Sequence, residues 1–412
     1  MSQGCLIPPT MLRKFSLQIG LKFLSILLSL FIARWVIANL DTNSVKDYTV
    51  IGSYNNTILM AITLGLPALV QKYYTNVTDR TVLANFWATV SVLRFGSFFL
   101  GLGLLALCFP IMNVTSWQAA IALYCAQFIL LADTSYRSIT DARGRSWQFS
   151  LTDFIGKGLL LGLVLLISNV LKLDLVGFSL VSIVAYFIAF VCDILWQKGD
   201  TGWGRFDTGI LRLELGAIGF LVLTDFVTAL YLRTDVPFLN YLRFSDTQIV
   251  SYSNAYKLFE IATVIPALMM PVIASQTRQK LNNQLISKKN LIVAFAQSFG
   301  FGVVLLILAN LFSPLAVWLL DPSLKFPATQ GYFQLLTPVL LILFPIVLAN
   351  DLINLSGLEK YQFRSKLITA IFAISCYLVL IPRFGLLGAI ISTVAFFCLE
   401  LIVKLWYVYK YV

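Results

Sequence analysis

The 412-residue sequence contains no histidine, which removes the most frequent metal ligand and the side chain that titrates nearest neutrality. Its six cysteines, Cys5, Cys108, Cys125, Cys192, Cys376 and Cys398, form no CxxC motif and mostly lie inside apolar runs. They read as small buried hydrophobes rather than disulfide or metal partners. Charge is scarce as well, with Asp, Glu, Lys and Arg making up 12% of the chain. No hydrophilic stretch is long enough for a soluble domain, and no alternation of short strands with polar turns marks a barrel. What remains is 59% hydrophobic, in recurring windows long enough to cross a hydrocarbon core ~30 Å thick. The fold class is an all-α polytopic membrane protein. No cofactor is expected; a coupling ion, H+ or Na+, would be a matter for acidic residues inside the spans.

The hydrophobic pattern predicts twelve spans, at residues 12–38, 50–70, 82–109, 117–136, 147–170, 174–195, 211–232, 247–273, 290–312, 331–354, 364–381 and 385–408. The first apolar run, LKFLSILLSLFIARWVIA, lacks a small-residue cleavage site and is expected to span rather than to be removed. With the N-terminus inside, eighteen Lys and Arg fall in one set of tails and loops and six in the opposite set. That asymmetry places both termini in the cytoplasm. It also accounts for the net charge of +11 through membrane topology, with no nucleic acid required.

A glycine-rich, charged segment, QKGDTGWGRFDTG, divides the chain near its middle. Residues 1–197 form one expected six-helix lobe, 198–210 a cytoplasmic linker and 211–412 a second six-helix lobe. A shift of 199 residues sets VIGSYNNTILMAITLGLPAL, from Val50, against IVSYSNAYKLFEIATVIPAL, from Ile249, so that Asn55 meets Asn254 and Pro67 meets Pro266. The last hairpins correspond loosely, with Gly177 meeting Gly388. Equal orientation of the halves predicts a pseudo-two-fold axis along the membrane normal and a central cleft suited to alternating access.

Ionisable groups at mid-depth are costly and mark pathways or paired contacts. In the first half these are Arg34, Arg94 and Lys157, with Asp153 one turn from the lysine. Arg34 can snorkel to the interface, and Asp153 can neutralise Lys157; the alternative is that they face a substrate. In the second half, Asn254, Lys257 and Glu260 share one helix face, and Lys257 with Glu260 could form a closed pair. Asp225 lies ~21 Å along its helix at 1.5 Å per residue, with no charge three or four positions away, which suits a proton or sodium coupling group. Counting Glu214 with these, the first half carries a positive excess and the second a negative one. An anionic solute would favour the first lobe and a driving cation the second. Asp351, Glu400 and Lys404 are weaker candidates, near cytoplasmic helix ends. Pro67, Pro266, Pro271, Pro338 and Pro345 are expected to interrupt helices, and Gly158 with Gly162 to mark close helix packing.

The stretch RTDVPFLNYLRFSDTQIVSYSNAYKLFE, from Arg233, carries Asp235, a Ser245-Asp246 turn, Ser251, Tyr252 and Ala255. With IARWVIANLDTNSVKDYTVIGSYNNTILMAITLGLPALVQKYY, from Ile32, GLEKYQFRSKLI, from Gly357, and IPRFGLLGAIIST, from Ile381, it resembles the polysaccharide-unit flippases of the multidrug/oligosaccharidyl-lipid/polysaccharide (MOP) exporter superfamily. Ser251 stands where that pattern has glycine. The resemblance implies a MATE-like fold and an undecaprenyl-pyrophosphate-linked oligosaccharide, such as an O-antigen unit, flipped from the cytoplasmic to the periplasmic leaflet. It further implies a monomeric transport unit in the bacterial inner membrane, partnered by the polysaccharide polymerase and the chain-length regulator. The expected lumen or substrate residues are Arg34, Asn55, Arg94, Lys157, Asn254 and Lys257; the coupling candidates are Asp225, Glu260 and Asp235. Two alternatives stand beside this reading: a MATE-type multidrug antiporter and, from another class, a membrane-embedded polymerase or ligase. The latter is disfavoured by the short outer loops.

Overall fold

The computed structural model of the chain describes residues 9–63, 65–202, 204–207, 209, 223–224, 226–232, 234–282, 288–356 and 358–411, and all regular structure among them is helical. The helices are α1 (Pro9–Asn39), α2 (Thr42–Ala61), α3 (Leu66–Asn76), α4 (Arg80–Met112), α5 (Trp117–Ala142), α6 (Ser146–Ser168) and α7 (Leu175–Trp196). After a helical segment at 226–232 come α8 (Asp235–Tyr241), α9 (Asp246–Asn282), α10 (Lys288–Leu311) and α11 (Ser313–Leu320). The chain ends with α12 (Thr329–Leu336), α13 (Pro338–Leu355), α14 (Glu359–Phe384) and α15 (Leu386–Tyr411).

Eight of these helices are long and apolar enough to cross a membrane among the described residues, and α12 with α13, bent by 41°, makes a ninth as one broken span. Eleven of the twelve expected spans coincide with helix among the described residues, and two of these owe less to apolarity. The span at 50–70 is split, because the chain turns between α2 and α3 at Gly65, whose φ of 61° is cheap only for glycine. The span at 247–273 lies within α9, 37 residues long, whose polar face carries Asn254, Lys257 and Glu260. The span at 211–232 lies largely outside the described residues.

Helix starts follow local capping chemistry. The Ser116 hydroxyl accepts from the Ala119 amide at 3.1 Å, and Asp174 Oδ1 accepts from the Gly177 amide at 2.7 Å, each satisfying a donor that a first turn leaves open. Proline behaves unevenly. Pro67 and Pro338 stand in the first turns of α3 and α13, where the absent N–H costs nothing. Pro266, Pro271 and Pro345 instead lie inside continuous helices, contrary to the expectation of breaks there; neighbouring turns hold the helix on both sides.

The chain forms two compact units. One contains Met1–Leu40, Ile62–Phe109 and Val114–Ile218; the other contains Asp41–Ala61, Pro110–Asn113 and Gly219–Val412. In the first, α1 packs on α6, and α7 lies against both α5 and α6. With lipid as apolar as the helices themselves, close van der Waals fit drives such contacts. The glycine that permits the α6–α7 approach is Gly156, where a methyl group would stand 3.0 Å from Ala189 Cβ; Gly162 has open space and Gly158 only an ordinary contact with Leu28. The expected Gly158–Gly162 packing is thus displaced to a neighbouring face.

In the second unit α14 and α15 form a tight hairpin, and α13 packs on α9, α10 and α15. A methyl group at Gly388 would run into the Leu380 carbonyl, so glycine is needed where that hairpin closes. Helix α2 packs on α8 and α9 in this unit. Their common end is knotted by polar contacts: Lys46 Nζ donates to the Asn113 carbonyl at 3.0 Å and lies 3.9 Å from Asp246, while the Asn240 side chain donates to the Met112 carbonyl.

Candidate functional site

Among the described residues of the second unit lies a cavity of about 420 Å³, lined chiefly by Tyr231, Tyr256, Glu260, Asn350, Lys366 and Glu400. Its polar wall is built by the last hairpin. Glu400 and Lys404 are four residues apart on α15, hence on one face, and they form an ion pair that is almost wholly buried. Lys366, from α14, approaches the same carboxylate at 2.8 Å and donates to the Tyr231 hydroxyl at 2.7 Å. That hydroxyl donates in turn to Glu400 Oε2 at 3.2 Å. Two ammonium groups therefore share one carboxylate. Asn350 Oδ1 has no hydrogen-bond partner among the described residues, leaving an acceptor for a bound molecule or water.

Glu260 lines this cavity, and Lys257, one turn before it, holds its ammonium 5.0 Å from the ring centre of Tyr48 on α2, a cation–π contact. Asp235 is buried at the start of α8; its carboxylate accepts from the Tyr252 hydroxyl at 2.5 Å and from the Val236 amide at 2.8 Å. Asp225 and Glu214 lie outside the described residues. Asn55 and Asn254, paired by the internal repeat, are both completely buried, and none of their four side-chain amide nitrogen and oxygen atoms has a hydrogen-bond partner among the described residues.

The first unit holds the remaining candidates. Arg94 is 6% exposed. Its Nε donates to the Ser135 hydroxyl at 3.2 Å and its Nη2 to Thr134 at 3.3 Å, whereas Nη1 has no acceptor among the described residues. No carboxylate among the described residues forms an ion pair with it. Lys157 pairs with Asp153 at 3.0 Å and donates to Ser25 on α1 at 2.8 Å, and Lys22 reaches the same carboxylate at 3.7 Å. Arg34, on α1, is half-buried. The structure thus joins Lys157 to Asp153 and leaves Arg94 apart from both.

Sequence reasoning undervalued Glu400 and Lys404 and did not single out Lys366; the four-residue spacing of the first two was the available signal. It passed over Asp133 and Asp193, both buried, for which single carboxylates on separate helices gave no signal.

No family model matches the chain, and no curated protein matches it by sequence. Solved structures do. A multidrug resistance MATE family transporter of the MOP superfamily, in an inward-facing conformation, superposes with a TM-score of 0.74 at 12% identity, over 95% of this chain and 97% of that one. The eukaryotic MATE transporter AtDTX14 gives 0.71 at 11% identity, over 97% and 96%. A MOP superfamily transporter from Pyrococcus furiosus, whose binding pocket has reversed polarity suggesting a different function, gives 0.69 at 15% identity, over 95% of each chain. The chain is a multi-pass membrane protein with the fold of these MATE transporters.

Proposed function

We propose that the chain is a transporter that flips an undecaprenyl-pyrophosphate-linked oligosaccharide from the cytoplasmic to the periplasmic leaflet of a bacterial inner membrane, by alternating access and with ion coupling. The observation that carries the anionic substrate is Arg94. A buried guanidinium without a counter-charge is expensive unless an anion completes it, and its fork matches phosphate oxygens well. The shared carboxylate of Lys366 and Lys404 adds a second place where positive charge outnumbers its local partner. Lys157 and Arg34 extend the basic character of the first unit. The MATE-like fold supports transport in general. Coupling through Asp225, Glu260 or Asp235, and partnership with a polysaccharide polymerase and a chain-length regulator, belong to the same proposal.

A MATE-type multidrug antiporter is the second reading. It is favoured by the multidrug description of the structural neighbours and by the cavity beside Glu260, whose aromatic lining includes Tyr256, Phe259 and Phe397 and would suit an organic cation. Proteoliposomes containing fluorescent undecaprenyl-pyrophosphate-oligosaccharide separate the two. Protein-dependent transfer between leaflets, stimulated by an ion gradient, is expected; no transfer alongside efflux of a cationic dye would replace the flippase with the antiporter.

A further inference from the structure

The glycine-rich segment that follows α7 has no part in the sites described above, yet it is fastened to the first unit. Its Arg205 amide donates to Asn85 Oδ1 on α4 at 2.8 Å, and its Asp207 amide to the Thr89 hydroxyl at 3.0 Å. At Gly204 the segment comes too close to α4 for any side chain, since a methyl group there would stand 2.2 Å from the Ala84 carbonyl carbon. Nearer α7, the Tyr74 hydroxyl donates to the Asp200 carbonyl at 3.2 Å. Residues 198–202, held in this way, close one side of a recess of about 440 Å³ whose other walls are the start of α4 and the turn between α5 and α6. That turn reads Arg143-Gly144-Arg145, and its glycine, at φ 66°, lets the chain reverse with an arginine on either side.

Four cations line the recess, Arg80, Arg143, Arg145 and Lys198, against one carboxylate, Asp200. That carboxylate is shared, with Arg143 Nε 3.7 Å from one oxygen and Arg145 Nη1 3.3 Å from the other. Each contact uses a single nitrogen, so most of each guanidinium fork is left to donate elsewhere. Arg80 and Lys198 form no ion pair among the described residues. Neighbouring acids are occupied outside the recess: Asp79 Oδ1 accepts from the Thr81 and Val82 amides at 2.7 and 3.3 Å, and Asp141 pairs with Arg137 at 3.5 Å. Positive charge is thus left over in one small concavity, which favours an anion there.

The recess lies where α4 and α6 begin and α5 and α7 end, and all four helices are long and apolar enough to span a bilayer. Its cations therefore stand at the level of lipid headgroups. The exposed Leu195 and Trp196 end α7 just before Lys198, and the exposed Val82 follows Arg80 in the first turn of α4. Such apolar and aromatic neighbours suit the interface below the headgroups.

We propose that this recess binds a phosphate group at the membrane surface, with Arg80, Arg143, Arg145 and Lys198 as its donors and either an anionic phospholipid headgroup or a soluble phosphate compound as its source. Arginine forks match phosphate oxygens in pairs, and Asp200 holds two of them side by side. The site uses none of the proposed substrate or coupling residues, so it stands or falls separately from the flippase reading.

Native mass spectrometry of the full chain released from detergent tests it, with phosphatidylglycerol, phosphatidylethanolamine and inorganic pyrophosphate supplied in separate arms. Expected is a preference for phosphatidylglycerol over phosphatidylethanolamine, whose ammonium the cations repel; retention of pyrophosphate without that preference would assign the site to a soluble phosphate compound. In either case the adduct should fall about tenfold or more in the Arg80→Gln/Lys198→Gln variant, the scale of two basic residues at headgroup level. Both side chains are exposed, so folding is retained. The Lys360→Gln/Arg364→Gln variant removes two exposed cations from the start of α14, on the same expected side of the membrane, and should keep the adduct. Equal losses in the two variants would overturn the proposal in favour of diffuse surface charge. Failure of the chain to hold pyrophosphate or to prefer phosphatidylglycerol would refute it outright.

Discussion

Lys366 on α14 and Glu400 on α15 meet at 2.8 Å across the last hairpin, and Lys404 holds the same carboxylate from one turn further along α15. Removing the shared acid strands two buried ammonium groups at once. Breaking one partner from a buried pair costs on the order of 3–5 kcal/mol. Glu400→Gln should therefore lower the thermal unfolding midpoint and the yield of monodisperse protein in detergent. Adding Lys404→Met should recover much of the loss, because only Lys366 then remains, with the introduced amide oxygen and the Tyr231 hydroxyl to accept from it. Equal midpoints for the single and double variants would show that Lys404 does not depend on Glu400.

Arg94 should behave in the opposite way. Its guanidinium has no carboxylate partner among the described residues to lose, so Arg94→Gln, which keeps a donor for Thr134 and Ser135, is expected to retain the folded yield. Transfer of the pyrophosphate-linked lipid should fall by about tenfold or more, the scale of one charge-assisted hydrogen bond. Arg94→Lys should recover only part of this, since an ammonium keeps the charge without the fork. Undiminished transfer by the glutamine variant would remove Arg94 from substrate contact.

The amides of Asn55 and Asn254 are buried without partners among the described residues, and each then bears a desolvation cost that a leucine of similar size would not. Asn55→Leu and Asn254→Leu should leave the thermal midpoint unchanged or raise it, within about 1 kcal/mol of wild type. A clear fall for either variant in the same melting assay would mean that its amide is satisfied, for instance by an ordered water.

Asp225→Asn should abolish the stimulation of transfer by an ion gradient while leaving transfer without a gradient in place. The comparison needs only the ratio of rates with and without the gradient in the proteoliposome assay. An unaltered ratio would exclude Asp225 from coupling.

The helical architecture was readable because apolar length alone specifies a spanning helix. Even the spans that are less apolar, at α2 and α9, stand out in the hydrophobic pattern, and the repeat that aligns Asn55 with Asn254 pairs them. Side-chain partnerships were readable only where they are local. Asp153 with Lys157 and Glu400 with Lys404 follow from four-residue spacing, whereas Lys366 reaches Glu400 through the fold of the hairpin. The polar run GLEKYQFRSK hides the start of α14, which begins at Glu359, five residues before the expected span. Proline was read too simply: its cost depends on its place in the first turn, which Pro67 has and Pro266 lacks.

The chain passes from one compact unit to the other at Leu40, Ala61, Phe109, Asn113 and Ile218. Neither unit is therefore a single continuous stretch of chain. Residues 211–412 made alone would lack α2, and with it the ring beneath Lys257 and the lysine that binds the Asn113 carbonyl. A chimera that exchanges C-terminal halves between related transporters would set a foreign α2 against α8 and α9. Such a hybrid would need residues 41–61 and 110–113 to travel with the half they pack against.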